Sequence, residues 1–287
     1  MTGGSPAPRA PVILPHPMAP PDLTATLGRF VWLGAPLPRI ELLIVAPHPD
    51  DEVIGPGGRA ALAAKRGVGA IVATDGARGA GGRSEPGLAA RREEEAIAGL
   101  RRVGAAFAWL LRLPSARLKE ETAPGRDGGA AAAAIEHAVA KFGVAEVVTT
   151  SPYERHPTHL ATTRAAIHAL KRLRSPPRFE GFPVWDAVPG AAGVREVEVG
   201  AALEAKLAAI RCHASQLADR PFDEAARAQM LRDGTLAELT GSGGARYAER
   251  YLDLGELVRP GAPTLRAWLA RRFADDLDAR LGAGRED

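Results

Sequence analysis

The chain is short of several things, and each shortage excludes something. Its single cysteine, Cys212, rules out an internal disulfide, which fits a reducing, cytoplasmic setting. Aromatic residues make up only 5% of a chain that is 46% hydrophobic, so a core has to come from small side chains in close helix–sheet contact. No sign of charge dominates: 37 Lys and Arg face 34 Asp and Glu, a net of +3. That balance gives no electrostatic case for a nucleic-acid or membrane surface. No apolar run approaches the ~20 residues that span a bilayer. The opening stretch, 1-MTGGSPAPRAPVILPHPMAPP-21, lacks the basic start and unbroken apolar centre of a secretory signal. The expected partner is a small molecule, with self-association left open.

What is present has a rhythm. Residues 1–38 carry proline too often for a helix or central strand, and an irregular arm is expected there. From residue 39 to 287 the chain reads as one domain. Short apolar runs at Ile40–Ala46, Val68–Thr74, Phe107–Leu113, Ala145–Thr150 and around Phe182–Val188 alternate with helical spacing at Gly57–Arg66, Leu88–Val103, Gly129–Phe142 and His159–Arg172. Strand and helix in alternation predict an α/β fold, a mostly parallel, Rossmann-like sheet with helices on both faces. A helix-rich C-terminal portion is expected from about residue 200, ending in an amphipathic stretch over 264–282.

Two motifs carry chemistry. The first, 45-VAPHPDDEVIGPGG-58, sets His48, Asp50, Asp51 and Glu52 at the mouth of the first run. Carboxylates that close repel, and a cation would offset the repulsion. The second, 149-TTSPYERHPTH-159, follows the fourth run and contains His156 and His159. In the common doubly wound strand order these runs are neighbours at the reversal point, where open sheets bind ligands. Two histidines and a carboxylate with an open position suit catalytic Zn²⁺, and equally Fe²⁺. Only one of Asp50 and Asp51 can reach a metal shared with His48, which leaves the other as a base. His156 and His159 can divide in the same way into a ligand and a group facing substrate.

The segments 47-PHPDDEVIG-55 and 156-HPTH-159 resemble the LmbE/PIG-L family of metal-dependent N-deacetylases. The stretches 74-TDGARG-79, 92-REEEAIAGLRRVG-104 and 206-KLAAIRCHASQ-216 extend the resemblance over roughly Ile40 to Leu217. It implies a zinc-dependent amidohydrolase that removes an N-acetyl group from an N-acetylglucosamine-type substrate. It further implies metal binding by His48, Asp51 and His159, Asp50 as general base, and His156 at the oxyanion. Arg92 would then contact the sugar, and a tyrosine near Tyr153 would assist the oxyanion. Thr158 stands where the family usually has an aspartate that orients the first histidine, a role for which Glu154 or Glu52 is a candidate replacement. The glycine-rich loop 75–87 would cover the site, with Arg78 or Arg83 meeting an anionic or hydroxyl-rich substrate. His213, next to Cys212, suits a packing role better than a catalytic one.

Two other readings compete. Gly55, Gly57 and Gly58, with Asp75 about twenty residues on, imitate a dinucleotide-binding fingerprint, though a pyrophosphate there would meet three carboxylates. A metal-binding relative impaired through Thr158 is the other.

Overall fold

The computed structural model describes residues 22–79, 82, 84–188, 193–239 and 245–281. They contain strands β1 (Arg29–Trp32), β2 (Leu42–Ala46), β3 (Val68–Thr74), β4 (Phe107–Leu113), β5 (Glu146–Thr150), β6 (Arg178–Phe182), β7 (Val194–Glu198) and β8 (Ala248–Asp253). One sheet takes them all, in the order β1-β4-β3-β2-β5-β6-β8-β7. The stretch from β4 to β6 is parallel, as expected, and β1, β7 and β8 pair antiparallel at the two ends.

The parallel centre follows from sequence. β2 and β3 are apolar apart from a glycine and a terminal threonine, and buried along their whole length, as strands covered on both faces must be. Their side chains divide by parity. Leu43 and Val45 enter one core with Trp109, Phe107 and Ile135, whereas Leu42, Ile44 and Ala46 enter the other with Val72, Ile97 and Leu207. Alanine keeps the layers close: Ala131, Ala134 and Ala138 of helix Gly129–Phe142 are each 1% exposed or less.

The expected irregular arm needs correction where it is described. Residues 22–38 hold a short helix, Leu23–Thr26, and the edge strand β1; residues 1–21 lie outside the described residues. The reason is aromatic packing. Phe30 stacks on Phe142 at 5.9 Å and lies 5.2 Å from Phe107, and Trp109 Nε1 donates to the Leu27 carbonyl at 2.6 Å. An edge strand also tolerates the prolines that bound it. The fifth run was placed too late: β6 is Arg178–Phe182, in register with β5 and closed by Pro183. The C-terminal portion is helical at Leu203–Ile210, Ala214–Leu217, Phe222–Leu239 and Leu265–Leu281, but it also supplies β8, which ties β7 to β6.

For the site, the decisive feature is the reversal between β2 and β5. From β2 the chain builds outward through β3 and β4, then returns to β5 on the other side. Val45 pairs with Thr149, so the segments that leave these strands enter one crevice.

Candidate metal centre and active site

After β2 the chain turns sharply into a four-residue helix, Asp51–Ile54, and after β5 it crosses a loop into helix Pro157–Lys171. Pro157 at the first helical turn leaves His156 at the N-cap and carries His159 inside. The three-residue spacing therefore separates an exposed His156 from a His159 that is 1% exposed.

The two segments meet at Asp51. Its Oδ2 lies 3.0 Å from His48 Nδ1 and 3.3 Å from His159 Nε2. Ligands about 2.1 Å from a tetrahedral ion stand about 3.4 Å apart, so these separations fit one shared ion. His48, His156 and His159 each also offer a nitrogen within 4.8 Å of the others. His156 is thus near enough to be a fourth ligand or to face substrate from the metal's rim. Asp51 Oδ2, in contact with both His48 and His159, is placed to join the histidines.

Electrostatics agree with metal binding. Burial alone would lower the pKa of His159, but Asp51 and then Glu154 lift it to about 10. Burial raises Asp51, yet His159 and His48 outweigh it and hold the carboxyl well below its usual range. A proton in His159 is standing where a cation would. His156 is exposed as a residue but partly desolvated on its ring, and it is lowered to about 4 by that desolvation first and then by the imidazoles of His48 and His159 beside it. It is therefore neutral at pH 7, since Asp51 and Glu154, which act in the other direction, do not outweigh these effects.

Glu154 takes a role the sequence suggested only loosely. It does not replace the missing aspartate beside His156. Its Oε2 lies 3.2 Å from His159 Nδ1, while Oε1 accepts the backbone N–H groups of Val184, Trp185 and Asp186 at 2.7, 3.0 and 3.2 Å. A carboxylate behind a ligating histidine fixes the ring's orientation and raises its basicity.

Asp50 sits beside this set, 6% exposed, with its pKa raised to about 6 by burial against the opposing charge of Arg92. Its backbone is at φ 137°, ψ −34°, a region that costs a non-glycine residue about 1–3 kcal/mol and occurs mainly at functional sites. Arg92, expected to contact the sugar, is among the residues lining the cavity at this centre. Buried at 3% exposure, it donates to the carbonyls of Pro49, Gly76 and Arg78 and lies 3.1 Å from Asp50 Oδ2. It locks the loop after β3 against the first motif. Gly76, at φ +61°, permits that approach, because a Cβ there would come within 2.8 Å of Pro49 Cδ.

The centre opens into a cavity of about 990 Å³. Arg78 lines it, as expected; Arg83 lies outside the described residues. Tyr153 is placed elsewhere: its ring packs on Trp268 and Phe273 of the last helix, and the residue does not line the cavity. Sequence reasoning missed Lys119, Trp185, Arg220 and Phe222, which do. Trp185, 47% exposed, lies 4.8 Å from Phe222 across the wall. No motif marks these residues, since they come from separate loops and helices.

The dinucleotide reading fails on geometry. The N-terminus of helix Gly57–Ala63 is already capped: Glu249 accepts the N–H groups of Gly58 and Arg59 at 2.7 and 3.0 Å, and Lys206 Nζ closes the network 2.7 Å from Glu249. A phosphate would have to displace a buried carboxylate.

The chain is thus an open α/β sheet whose reversal point carries a histidine cluster that fits a metal ion. Residues 43–170 match the model of the PIG-L family, described as GlcNAc-PI de-N-acetylase. No curated protein sequence matches the chain significantly. Several solved structures share the fold. A conserved protein from Thermus thermophilus is 27% identical, with 75% of this chain and 94% of that one covered and a TM-score of 0.59. The N,N'-diacetylchitobiose deacetylase of Pyrococcus horikoshii is 23% identical, covering 74% and 82%, at 0.55. The 4-carboxy-2-hydroxymuconate hydratase of Pseudomonas putida is 19% identical, covering 75% and 96%, at 0.58. The fold thus hosts more than one chemistry, and the site must decide among them. Among the described residues no helix is long and apolar enough to cross a membrane.

Proposed function

We propose that this protein is a divalent-metal-dependent N-deacetylase acting on an N-acetylated amino sugar or its glycoside, with Zn²⁺ as the first candidate ion and Fe²⁺ as the second. The observation that carries the reading is Asp51 Oδ2, shared between His48 and His159, with a second carboxylate, Asp50, beside it at the cavity wall and paired with Arg92. The family domain and the diacetylchitobiose deacetylase relative support the amide substrate.

His48, Asp51 and His159 would hold the ion, which would supply Lewis acidity toward water and the amide carbonyl. The chain's own groups do the rest. Asp50, with its pKa near 6, is ionised at pH 7 and accepts the proton of the attacking water. It is then the acid that protonates the departing amine. His156, neutral at that pH, donates an N–H to the developing oxyanion without adding a charge. Trp185 offers an aromatic face to a sugar ring, and Arg78, Lys119 and Arg220 offer donors to hydroxyl or anionic groups further out. Arg92 serves the loop and Asp50.

The test is amine release from a panel of N-acetylated amino sugars and glycosides by metal-loaded protein, against the Asp50→Ala variant. Release that depends on Asp50 supports the reading. Retained metal with no release from any amide returns the protein to the class of non-catalytic metal binders.

A further inference from the structure

Behind the metal centre lies a buried acid–imidazole pair with no part in the steps above. Glu52 and His213 are 0% and 1% exposed. Glu52 Oε2 accepts the backbone N–H of Asp50 at 2.8 Å. On the opposite edge of the same peptide group, Arg92 donates to the Pro49 carbonyl at 2.7 Å through the nitrogen that lies 3.1 Å from Asp50 Oδ2. The Pro49–Asp50 peptide is therefore gripped on both edges. Below it, His213 Nε2 is 3.2 Å from Glu52 Oε1, off hydrogen-bond alignment and so best described as an ion-pair contact. His213 sits against Gly99, where a Cβ would come within 3.0 Å of that same nitrogen. The helix around Gly99 is thus shaped to admit the imidazole.

Adjacent carboxylates here have different targets: Asp51 faces His48 and His159, while Asp50 faces the cavity. Asp50 achieves this at φ 137°, which persists only when its surroundings over-determine it. We propose that Glu52, anchored by His213 and opposed by Arg92, is a positioning residue that fixes the plane of the Pro49–Asp50 peptide and thereby aims the Asp50 carboxylate. The inference rests on the reading of Asp50 as the general base. It also gives a task to the one acid of the first motif that binds neither metal nor substrate.

Two measurements on the full-length protein test it. In the metal-free wild type, the Asp50 amide should exchange with solvent far more slowly than loop amides, because a buried carboxylate holds it. With metal loaded, Glu52→Ala should lower kcat at least tenfold with KM within twofold. Glu52→Gln, which keeps a carbonyl acceptor of the same reach, should recover most of the loss. A freely exchanging Asp50 amide, wild-type kcat in Glu52→Ala, or equal losses in the two variants would overturn the proposal. Should Glu52→Ala not fold, Glu52→Gln and His213→Asn carry the kinetic arm: kcat near wild type in the first and reduced in the second supports the clamp, and the reverse order overturns it. If the wild type releases amine from no amide, the functional reading fails instead, and the exchange rate still reports on the clamp.

Discussion

His159 is held from both sides: its Nδ1 lies 3.2 Å from Glu154 Oε2 and its Nε2 3.3 Å from Asp51 Oδ2. One nitrogen is turned toward the metal position, and the other is fixed by a carboxylate that is itself anchored on three backbone N–H groups. This arrangement makes the candidate metal centre a product of both motifs and of the loop that follows β6.

The first prediction concerns that anchor. Glu154→Gln should weaken zinc affinity about 10- to 100-fold, read by competition with a chromophoric chelator. The ligands themselves are untouched, so one equivalent of metal should still bind at saturation. Unchanged affinity would mean that Glu154 only braces the loop at Val184–Asp186.

A second prediction follows from protonation. In the metal-free protein His159 has its folded pKa raised to about 10, above its ordinary 6.5. Its contribution to stability is therefore fully present below pH 6.5 and is lost as the pH rises through 10. The metal-free Tm should fall between pH 7 and 10 more steeply than that of His159→Gln. Metal must displace the same proton, so binding at pH 8 should release about one proton from this site. Calorimetry in two buffers of different ionisation heat measures it.

Strain at Asp50 gives a third. Glycine adopts positive φ without penalty, so Asp50→Gly should exceed Asp50→Ala in stability by about 1–3 kcal/mol in urea unfolding. Both variants should be inactive. In the wild type the acid limb of kcat/KM should lie at or below pH 6, because Asp50 works as a base only once ionised, and bound metal moves the limb lower.

The wall of the cavity gives a fourth. Trp185→Ala should raise KM about fivefold with kcat nearly unchanged, since roughly half an aromatic face is worth ~1 kcal/mol of burial. A fall in kcat at constant KM would place Trp185 in the chemistry instead.

Much of the architecture was legible because periodicity reports burial directly. β2 to β5 and their covering helices fell where apolar runs and 3.6-residue spacing put them. The meeting of His48 with His159 followed from strand order alone. What stayed hidden depends on contacts distant in sequence. β1 is a strand because Phe30 finds Phe107 and Phe142, and proline-rich flanks concealed it. β8 pairs with strands about 55 to 70 residues away, and its alternation is too short to read alone. Glu154 looked like a stand-in beside His156, because neither the turn after Ser151 nor the partnership with residues 184–186 can be read from spacing. The loop-locking contacts of Arg92 stayed hidden since its three carbonyl acceptors come from two separate loops. Tyr153, next to the motif, turned toward Trp268 for want of any signal locating the last helix.

The central claim is that His48, Asp51 and His159 jointly grip one divalent ion. It is tested most directly by titrating metal-stripped protein with Zn²⁺ alongside the folded variants Asp51→Asn and His159→Gln. The account predicts one tight equivalent in the wild type and affinity reduced at least a hundredfold in each variant. Equal uptake by all three proteins would contradict it.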